Sequence, residues 1–211
     1  MIIVTINIRG GGNLIKRKGI GYLNQSNRTD VCFLQETKLT TFSQKFAEDF
    51  WGAKDVDWTH KHSEGASGGS VILWRKNSLN LIQSFKGVGF LGLKVKCKSS
   101  GVSINLVNIY APCTSLGRRK MWLQLSDLKR NAVGEEWCIG GDYNSVLFKE
   151  ERLGKHGGHQ GKDSEAFHRF VEKMELIDLP SVGGRFTWFS GAGNAMSRLD
   201  RFLLSDSLIS L

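Results

Sequence analysis

The sequence predicts an α+β fold in which sheets are layered and helices lie outside them. Three observations predict it. Short apolar runs of strand character recur along the chain, and several follow one another directly. Few stretches carry helical periodicity, so the order is not a regular strand–helix alternation. With 211 residues, 40% of them hydrophobic and including 12 Phe and 6 Trp, the chain is long enough for one substantial core and short for two. It reads as one domain over residues 1–211.

Residues 2–8 alternate well enough for a strand that ends at Asn7-Ile8-Arg9-Gly10. Residues 13–27 carry weak helical periodicity through Leu14, Ile15, Tyr22 and Leu23, with two glycines against it. Val31-Cys32-Phe33-Leu34 is a continuous apolar run, typical of a fully buried strand, and exits into Gln35-Glu36-Thr37-Lys38. Residues 43–50 suit a short helix. Gly65-Ala66-Ser67-Gly68-Gly69 reads as a flexible turn into a strand over residues 70–74. Residues 79–85, 91–97 and 102–110 alternate as further strands, the last closed by Pro112.

Gly87-Val88-Gly89-Phe90-Leu91-Gly92 has the spacing of a dinucleotide fingerprint. A strand pattern follows it, so no helix N-terminus is there to hold a pyrophosphate, and we reject that reading. Residues 116–130 form an amphipathic helix through Met121, Trp122, Leu125 and Leu128, with Lys and Arg on its other face. Lys155 to Lys162 reads as a basic, glycine-rich, solvated loop. Residues 163–177 are the clearest helix, with Phe167, Phe170, Val171 and Met174 in one stripe and acidic residues at its start. Residues 186–189 and 199–204 close the chain as strands.

The balance of 29 basic against 20 acidic residues gives +9, which favours a polyanionic partner such as nucleic acid or an acidic membrane. The four cysteines (Cys32, Cys97, Cys113, Cys138) are scattered, without the spacing of a zinc site or a disulfide framework, and point to a reduced intracellular setting. The N-terminus turns polar at Thr5 and Asn7, unlike a signal peptide, and no apolar run approaches membrane-spanning length.

The chain is organised around Trp137-Cys138-Ile139-Gly140-Gly141-Asp142-Tyr143-Asn144. The apolar part reads as a buried strand that the two glycines end. In an extended exit, residues i and i+2 share a side, so Asp142 and Asn144 would face one pocket. A carboxylate beside a carboxamide suits a site for a hard cation and a phosphate. Polar residues recur at other strand ends: Asn7, Glu36, Tyr110, and Asp200 within an apolar strand. Each has a plain alternative. Asn7 could be a turn former, Glu36 a surface charge, Tyr110 a core ring, and Asp200 the partner of Arg198 or Arg201.

Taken together and in order, Asn7-Ile8-Arg9-Gly10, Gln35-Glu36-Thr37-Lys38, Asn108-Ile109-Tyr110-Ala111-Pro112, Gly141-Asp142-Tyr143-Asn144 and Arg198-Leu199-Asp200 resemble the endonuclease/exonuclease/phosphatase family, the deoxyribonuclease I-like fold. The nearest resemblance is to the endonuclease domain of plant LINE-type retrotransposons, through Gly65 to Gly69, Glu150-Glu151-Arg152 and Ser197 to Ser205. It implies a four-layer α/β/β/α sandwich of two mixed sheets, with the site where strand ends from both sheets meet. It implies Mg²⁺ or Mn²⁺ held by Glu36 with Asn7, and Asp142 orienting or deprotonating the attacking water. Asn144 and Tyr110 would hold phosphate oxygens, and Asp200 would orient a histidine. It further implies DNA as partner, a monomer, a nuclear setting, and membership of a larger reverse-transcriptase polyprotein in full-length relatives.

In the family that histidine follows a Ser-Asp pair on a later strand. Ser205-Asp206-Ser207 directly follows the strand of Asp200, so it is not that motif, and none of His60, His62, His156, His159 or His168 matches. The expectation is a C-terminally truncated domain without its last strand, acting as a weak or inactive metal-dependent phosphodiesterase on DNA. The alternatives are a nucleic-acid-binding remnant without catalysis and a small-molecule phosphoesterase of the same superfamily.

Overall fold

Two mixed sheets stack face to face, and paired helices cover the outer face of each. The structure, a computed structural model, describes residues 1–64, 67–154 and 161–209. The first sheet holds β1 (Ile3–Asn7), β2 (Val31–Gln35), β3 (Val56–Glu64) and β4 (Ser67–Arg75), in the spatial order β1-β2-β4-β3. The next strands in sequence are β5 (Leu79–Gly87), β6 (Phe90–Cys97), β7 (Ser103–Tyr110), β8 (Glu136–Asp142) and β9 (Arg152–Gly154). The last are β10 (Leu176–Asp178), β11 (Trp188–Phe189), β12 (Ala195–Ser197) and β13 (Asp200–Ser205). The second sheet runs β10-β13-β8-β7-β6-β5, and a small third sheet runs β11-β12-β9. Helices α1 (Leu14–Ser26) and α2 (Gln44–Trp51) precede β3, and α3 (Ser115–Arg130) and α4 (Gly161–Lys173) flank β8 and β9.

Strand β2 shows why the layers form. All five of its residues are buried, because it is covered on both faces. Val31 and Phe33 pack between the sheets with Leu91, Leu93, Val95 and Leu106. Cys32 and Leu34 point the other way, against Phe50 and Trp51 of α2. The second sheet does the same: Trp137 and Ile139 of β8 meet Trp122, Phe167 and Phe170, whereas Cys138 faces the sheet interface. Trp122 stacks on Phe167 and Phe170 with centroids 5.0 and 4.4 Å away. Each such aromatic pair adds about 0.5–1.5 kcal/mol beyond its buried area. The expected four-layer α/β/β/α arrangement is therefore the observed one.

Several expectations need correction. The glycines of the central stretch do not end the strand; β8 runs through both to Asp142. Gly140 is there because a Cβ would lie 2.3 Å from the Phe202 ring, and Gly141, at φ +134°, because a Cβ would lie 2.1 Å from the Ile109 carbonyl oxygen. Helix α1 forms, capped by the Asn13 side chain, but buries its other face. Ile15 and Tyr22 are 82% and 77% exposed, and Arg17, Gly21 and Asn24 pack inward instead. Glycine at 21 is needed for close backbone approach to α2. Helix α4 stops at Lys173, and Ile177 lies in strand β10. The strand expected over residues 186–189 shortens to two residues. Strand β3 was not legible, because it is an edge strand paired only with β4 and carries polar residues at most positions. The turn expected at residues 65–69 is described only from Ser67, already in β4; of the loop expected at Lys155 to Lys162, residues up to Gln160 lie outside the described residues, and Gly161 and Lys162 open α4 instead. The rejected glycine motif is the β5–β6 hairpin, with Gly87 opposite Phe90.

Candidate active site

Strand register assembles the site. In the second sheet, Tyr110 of β7 lies opposite Asp142 of β8, which lies opposite Asp200 of β13. On the same face the next rung inward is Asn108, Gly140 and Phe202, and the one after it Leu106, Cys138 and Leu204. Alternate residues share a face, so one row passes from apolar to polar as it nears the strand ends. Asp142 and Asp200 thus stand at the mouth between the sheets.

The first sheet supplies the facing wall. Asn7 ends β1 opposite Gln35 of β2, and Glu36 follows at φ 53°. This left-handed turn is held on both sides. The Gly10 N–H donates to the Glu36 carbonyl at 2.7 Å, and Thr37 and Lys38 donate to Gly69 and Gly68 at 3.1 and 3.0 Å. A non-glycine residue at positive φ stores strain that the surrounding bonds must hold, a pattern concentrated at functional sites.

The two walls touch through polar groups. Asn7 Nδ2 donates to Asp142 Oδ2 at 3.3 Å. The Tyr110 hydroxyl lies close enough to the Glu36 carboxylate to feel its charge, and Lys38 Nζ lies 3.1 Å from Glu36 Oε1. Deeper in, Asn108 Nδ2 donates to the carbonyls of Leu34 and Val71 at 3.0 and 2.9 Å, and Gln35 Nε2 donates to Asn108 Oδ1 at 2.6 Å. Asn108 is fully buried, and its bonds join the two sheets directly below the site.

Burial shapes the acidity of this row. Burial pushes the Asp142 carboxyl above the usual aspartate range; bonds from the Asn144 N–H and the Asn7 amide oppose the rise, and Glu36 adds to it. Burial and the Asp142 charge push Asp200 up to about 6, against a bond from the Thr187 hydroxyl and the nearby Arg201 and Arg9 charges. Tyr110 is pushed up to about 12 by burial first and then by Glu36, so its hydroxyl stays protonated and can donate.

Asn144 reaches the site by another route than expected. At φ 47° it is left-handed, so the alternation of an extended chain does not apply. Its N–H turns back to Asp142 Oδ1 at 2.9 Å, and its Nδ2 donates to the Ala111 carbonyl at 2.7 Å beside Tyr110. The plain alternative for Asp200 fails as well: Arg198 and Arg201 bond to Glu151 and Asp178.

A cleft of about 640 Å³ opens beside the polar row, lined by Asn7, Arg9, Asp142, Thr187, Trp188 and Asp200 among others. Sequence reasoning missed Thr187 and Arg9 as site residues. The Thr187 hydroxyl oxygen accepts the N–H groups of Leu199 and Asp200, both at 3.0 Å, and so seats Asp200. A threonine before a short strand carries no signal of that role. Arg9 stood in a quoted motif, but only the fold brings its charge near both aspartates. Among the described residues no histidine lines this cleft. His60 stacks near Phe42 and Trp58, His62 lines a separate cleft with Tyr110, His168 pairs with Glu172, and His156 and His159 lie outside the described residues.

Residues 4–210 match the profile of the Endonuclease/Exonuclease/phosphatase family. A curated relative, the Transposon TX1 uncharacterized 149 kDa protein of Xenopus laevis, is 26% identical over 222 residues covering 99% of this chain, which spans 16% of that relative's length. The endonuclease domain of TRAS1, a telomere-specific non-LTR retrotransposon, superposes with a TM-score of 0.71 at 13% identity, covering 99% of this chain and 87% of that one. An AP endonuclease from Archaeoglobus fulgidus gives 0.75 at 16% identity, covering 100% and 89%. AP endonuclease LMAP from Leishmania major gives 0.71 at 16%, covering 99% and 79%. At such identities the structural likeness speaks for the fold.

Proposed function

The chain belongs to the endonuclease/exonuclease/phosphatase family, and from that premise we propose that it is a divalent-metal-dependent endonuclease domain of retrotransposon type that cleaves DNA in the nucleus. The observation that supports the reading is the contact of Asn7 with Asp142, beside which strand register sets Tyr110 and Asp200. The net charge of +9 and the retrotransposon relatives support DNA over a small phosphate ester.

The donor set fits Mg²⁺ or Mn²⁺. The uncharged and anionic groups at the mouth are hard oxygens and amides, with the Arg9 and Lys38 charges beside them, and among the described residues no group of three His, Cys, Asp or Glu side chains is placed to hold an ion by itself. One carboxylate with retained waters is how Mg²⁺ commonly binds beside phosphates. Glu36 would hold the ion with help from the Asn7 carboxamide oxygen, leaving the Asn7 nitrogen on Asp142. When bound, the ion would polarise the scissile phosphate and offset its developing charge.

The chain's own residues account for the rest. Asp142, with its carboxyl raised and oriented by Asn7 and the Asn144 N–H, takes a proton from the attacking water. Tyr110, kept protonated, donates to a phosphate oxygen, and Asn144 offers its second amide hydrogen. Asp200 is held beside Asp142 by Thr187. Activity should therefore be present above the raised Asp142 pKa and lost as pH falls through it.

Plasmid nicking with Mg²⁺ tests the reading, with Glu36→Gln and Asp142→Asn as blanks. Metal-dependent nicking lost in both variants supports it; nicking that survives both overturns it. A second reading is DNA binding without turnover. It is favoured by the seating of Asp200 on Thr187, with no histidine among the described lining residues. Retention of DNA without nicking in either metal would select it.

A further inference from the structure

We propose that Glu151 is a positioning residue that holds the Asn144 loop and the Asp200 strand at a fixed spacing, a role that rests on the phosphodiesterase reading for its consequence but not for its geometry. Glu151 ends a 3₁₀ turn just downstream of Asn144, and 9% of its side chain is exposed. It grips three things at once. Its Oε2 accepts the Leu147 N–H at 2.7 Å, which fixes the loop leaving Asn144. The same oxygen accepts Arg201 at 2.7 Å, and Oε1 accepts Arg198 at 3.0 Å and Arg201 at 3.2 Å. Its carbonyl accepts the Arg198 N–H at 2.9 Å. The two arginines closely bracket Asp200 in sequence, so one carboxylate joins both segments that carry site residues.

The joint is closed on its far side. Asp178 of β10 accepts Arg198 through both carboxylate oxygens, at 2.8 and 3.0 Å, and Arg201 at 2.9 Å. Arg201 is fully buried and lies 5.3 Å from the Phe167 ring centroid, so its direction is set by packing as well as charge. Two carboxylates against two guanidiniums leave the cluster neutral. A buried neutral cluster adds little stability over apolar packing, but loss of one member leaves a charge unpaired. Bidentate guanidinium–carboxylate geometry fixes direction as well as distance. Arg201 points to the helix side of β13, whereas Asp200, one residue earlier, points into the cleft. Glu151 touches no reacting group, so it acts on the site through the two arginines, which reach the cleft beside Asp200, and through the backbone they hold.

The test uses the full chain with Glu151→Gln and, as a control, Glu135→Gln. Glu135 bonds Lys94 and Asn105 at the opposite end of the second sheet. Glu151→Gln loses its pairs with Arg198 and Arg201, and the control loses its one pair, with Lys94. We expect Glu151→Gln to lower kcat for nicking about 10–100-fold, as supporting partners of site groups do, with KM for DNA unchanged, and the control to leave both unchanged. In ¹H–¹⁵N spectra, the amides of Asp142, Asn144 and Asp200 should shift in Glu151→Gln and not in the control. Glu151→Asp should restore part of both readouts. A uniform fall in stability with equal kcat in the two variants, or unshifted site amides, overturns the proposal. If the parent chain cleaves no phosphodiester, the functional reading fails, and the amide shifts still decide whether Glu151 positions the site.

Discussion

On the first-sheet side of the cleft, Glu36 stands on a left-handed turn fixed by backbone bonds from neighbouring loops, with 20% of its side chain exposed. On the second-sheet side, Asp142 is 8% exposed at the end of a regular strand, and register sets Tyr110 and Asp200 beside it. The two walls offer carboxylates of different character. The open one faces solvent from which a hydrated cation can arrive. Burial raises the Asp142 carboxyl above the usual aspartate range and Asp200 to about 6, which makes both better proton acceptors than a free aspartate. The difference teaches how one acidic mouth can divide its labour: strain and exposure on one wall, burial and alignment on the other.

The comparison breaks first at Asp142. Asp142→Asn should lower kcat for nicking by about 10²–10⁴-fold, the usual contribution of a general base, while Mn²⁺ affinity holds. Loss of metal affinity instead would mean that Asp142 is a ligand and that the walls are not divided. Steady-state nicking beside a Mn²⁺ titration separates the two.

The bond that ties the walls is the next target. Asn108→Leu removes the acceptor of Gln35 Nε2 and the donor to Leu34 and Val71. Leaving such groups buried and unpaired costs about 1–3 kcal/mol, and urea unfolding should show it as a lower midpoint at unchanged slope. An unchanged midpoint would mean that the sheets are held by the apolar core alone.

The smallest expected effect is a gain. Asp200 has its pKa raised to about 6, so the fold favours its neutral form. Its contribution to stability is fully present below the unfolded aspartate pKa and is lost as pH rises through about 6. Asp200→Asn mimics the neutral acid. It should be more stable than the parent by about 1–2 kcal/mol near pH 8 once solvent screening of this partly exposed group is allowed for, with the gain vanishing below about pH 4. Thermal melts across that range check the sign, and a loss of stability at high pH would show that the charged form is the favoured one.

Much of the second-sheet wall was legible in the sequence. A continuous apolar run beside an acid and an amide has few readings, and strand ends marked by Tyr110 and Pro112 narrow them further. The first-sheet residues Asn7 and Glu36 were legible only through the order of motifs, since a lone polar residue after a strand carries little signal. What depends on register was hidden. Gly140 and Gly141 looked like a strand end, because nothing local shows the Phe202 ring or the Ile109 carbonyl that excludes a side chain. The face of α1 was misread because its apolar residues lie outward while a buried arginine reaches Asp49 at 3.1 Å. Glu151, Arg198 and Arg201 stood in noted motifs, but their mutual pairing spans 47 and 50 residues and appears only when the strands are aligned.

The central claim is that the first-sheet wall holds a hard cation at Glu36, across the mouth from Asp142. Paramagnetic broadening by Mn²⁺ in ¹H–¹⁵N spectra tests it most directly. The amides of Gly10, Glu36, Lys38 and Asp142 should broaden first, and Glu36→Gln, folded as judged by its remaining signals, should lose this broadening. Broadening spread evenly over the surface, or unchanged in Glu36→Gln, would contradict it.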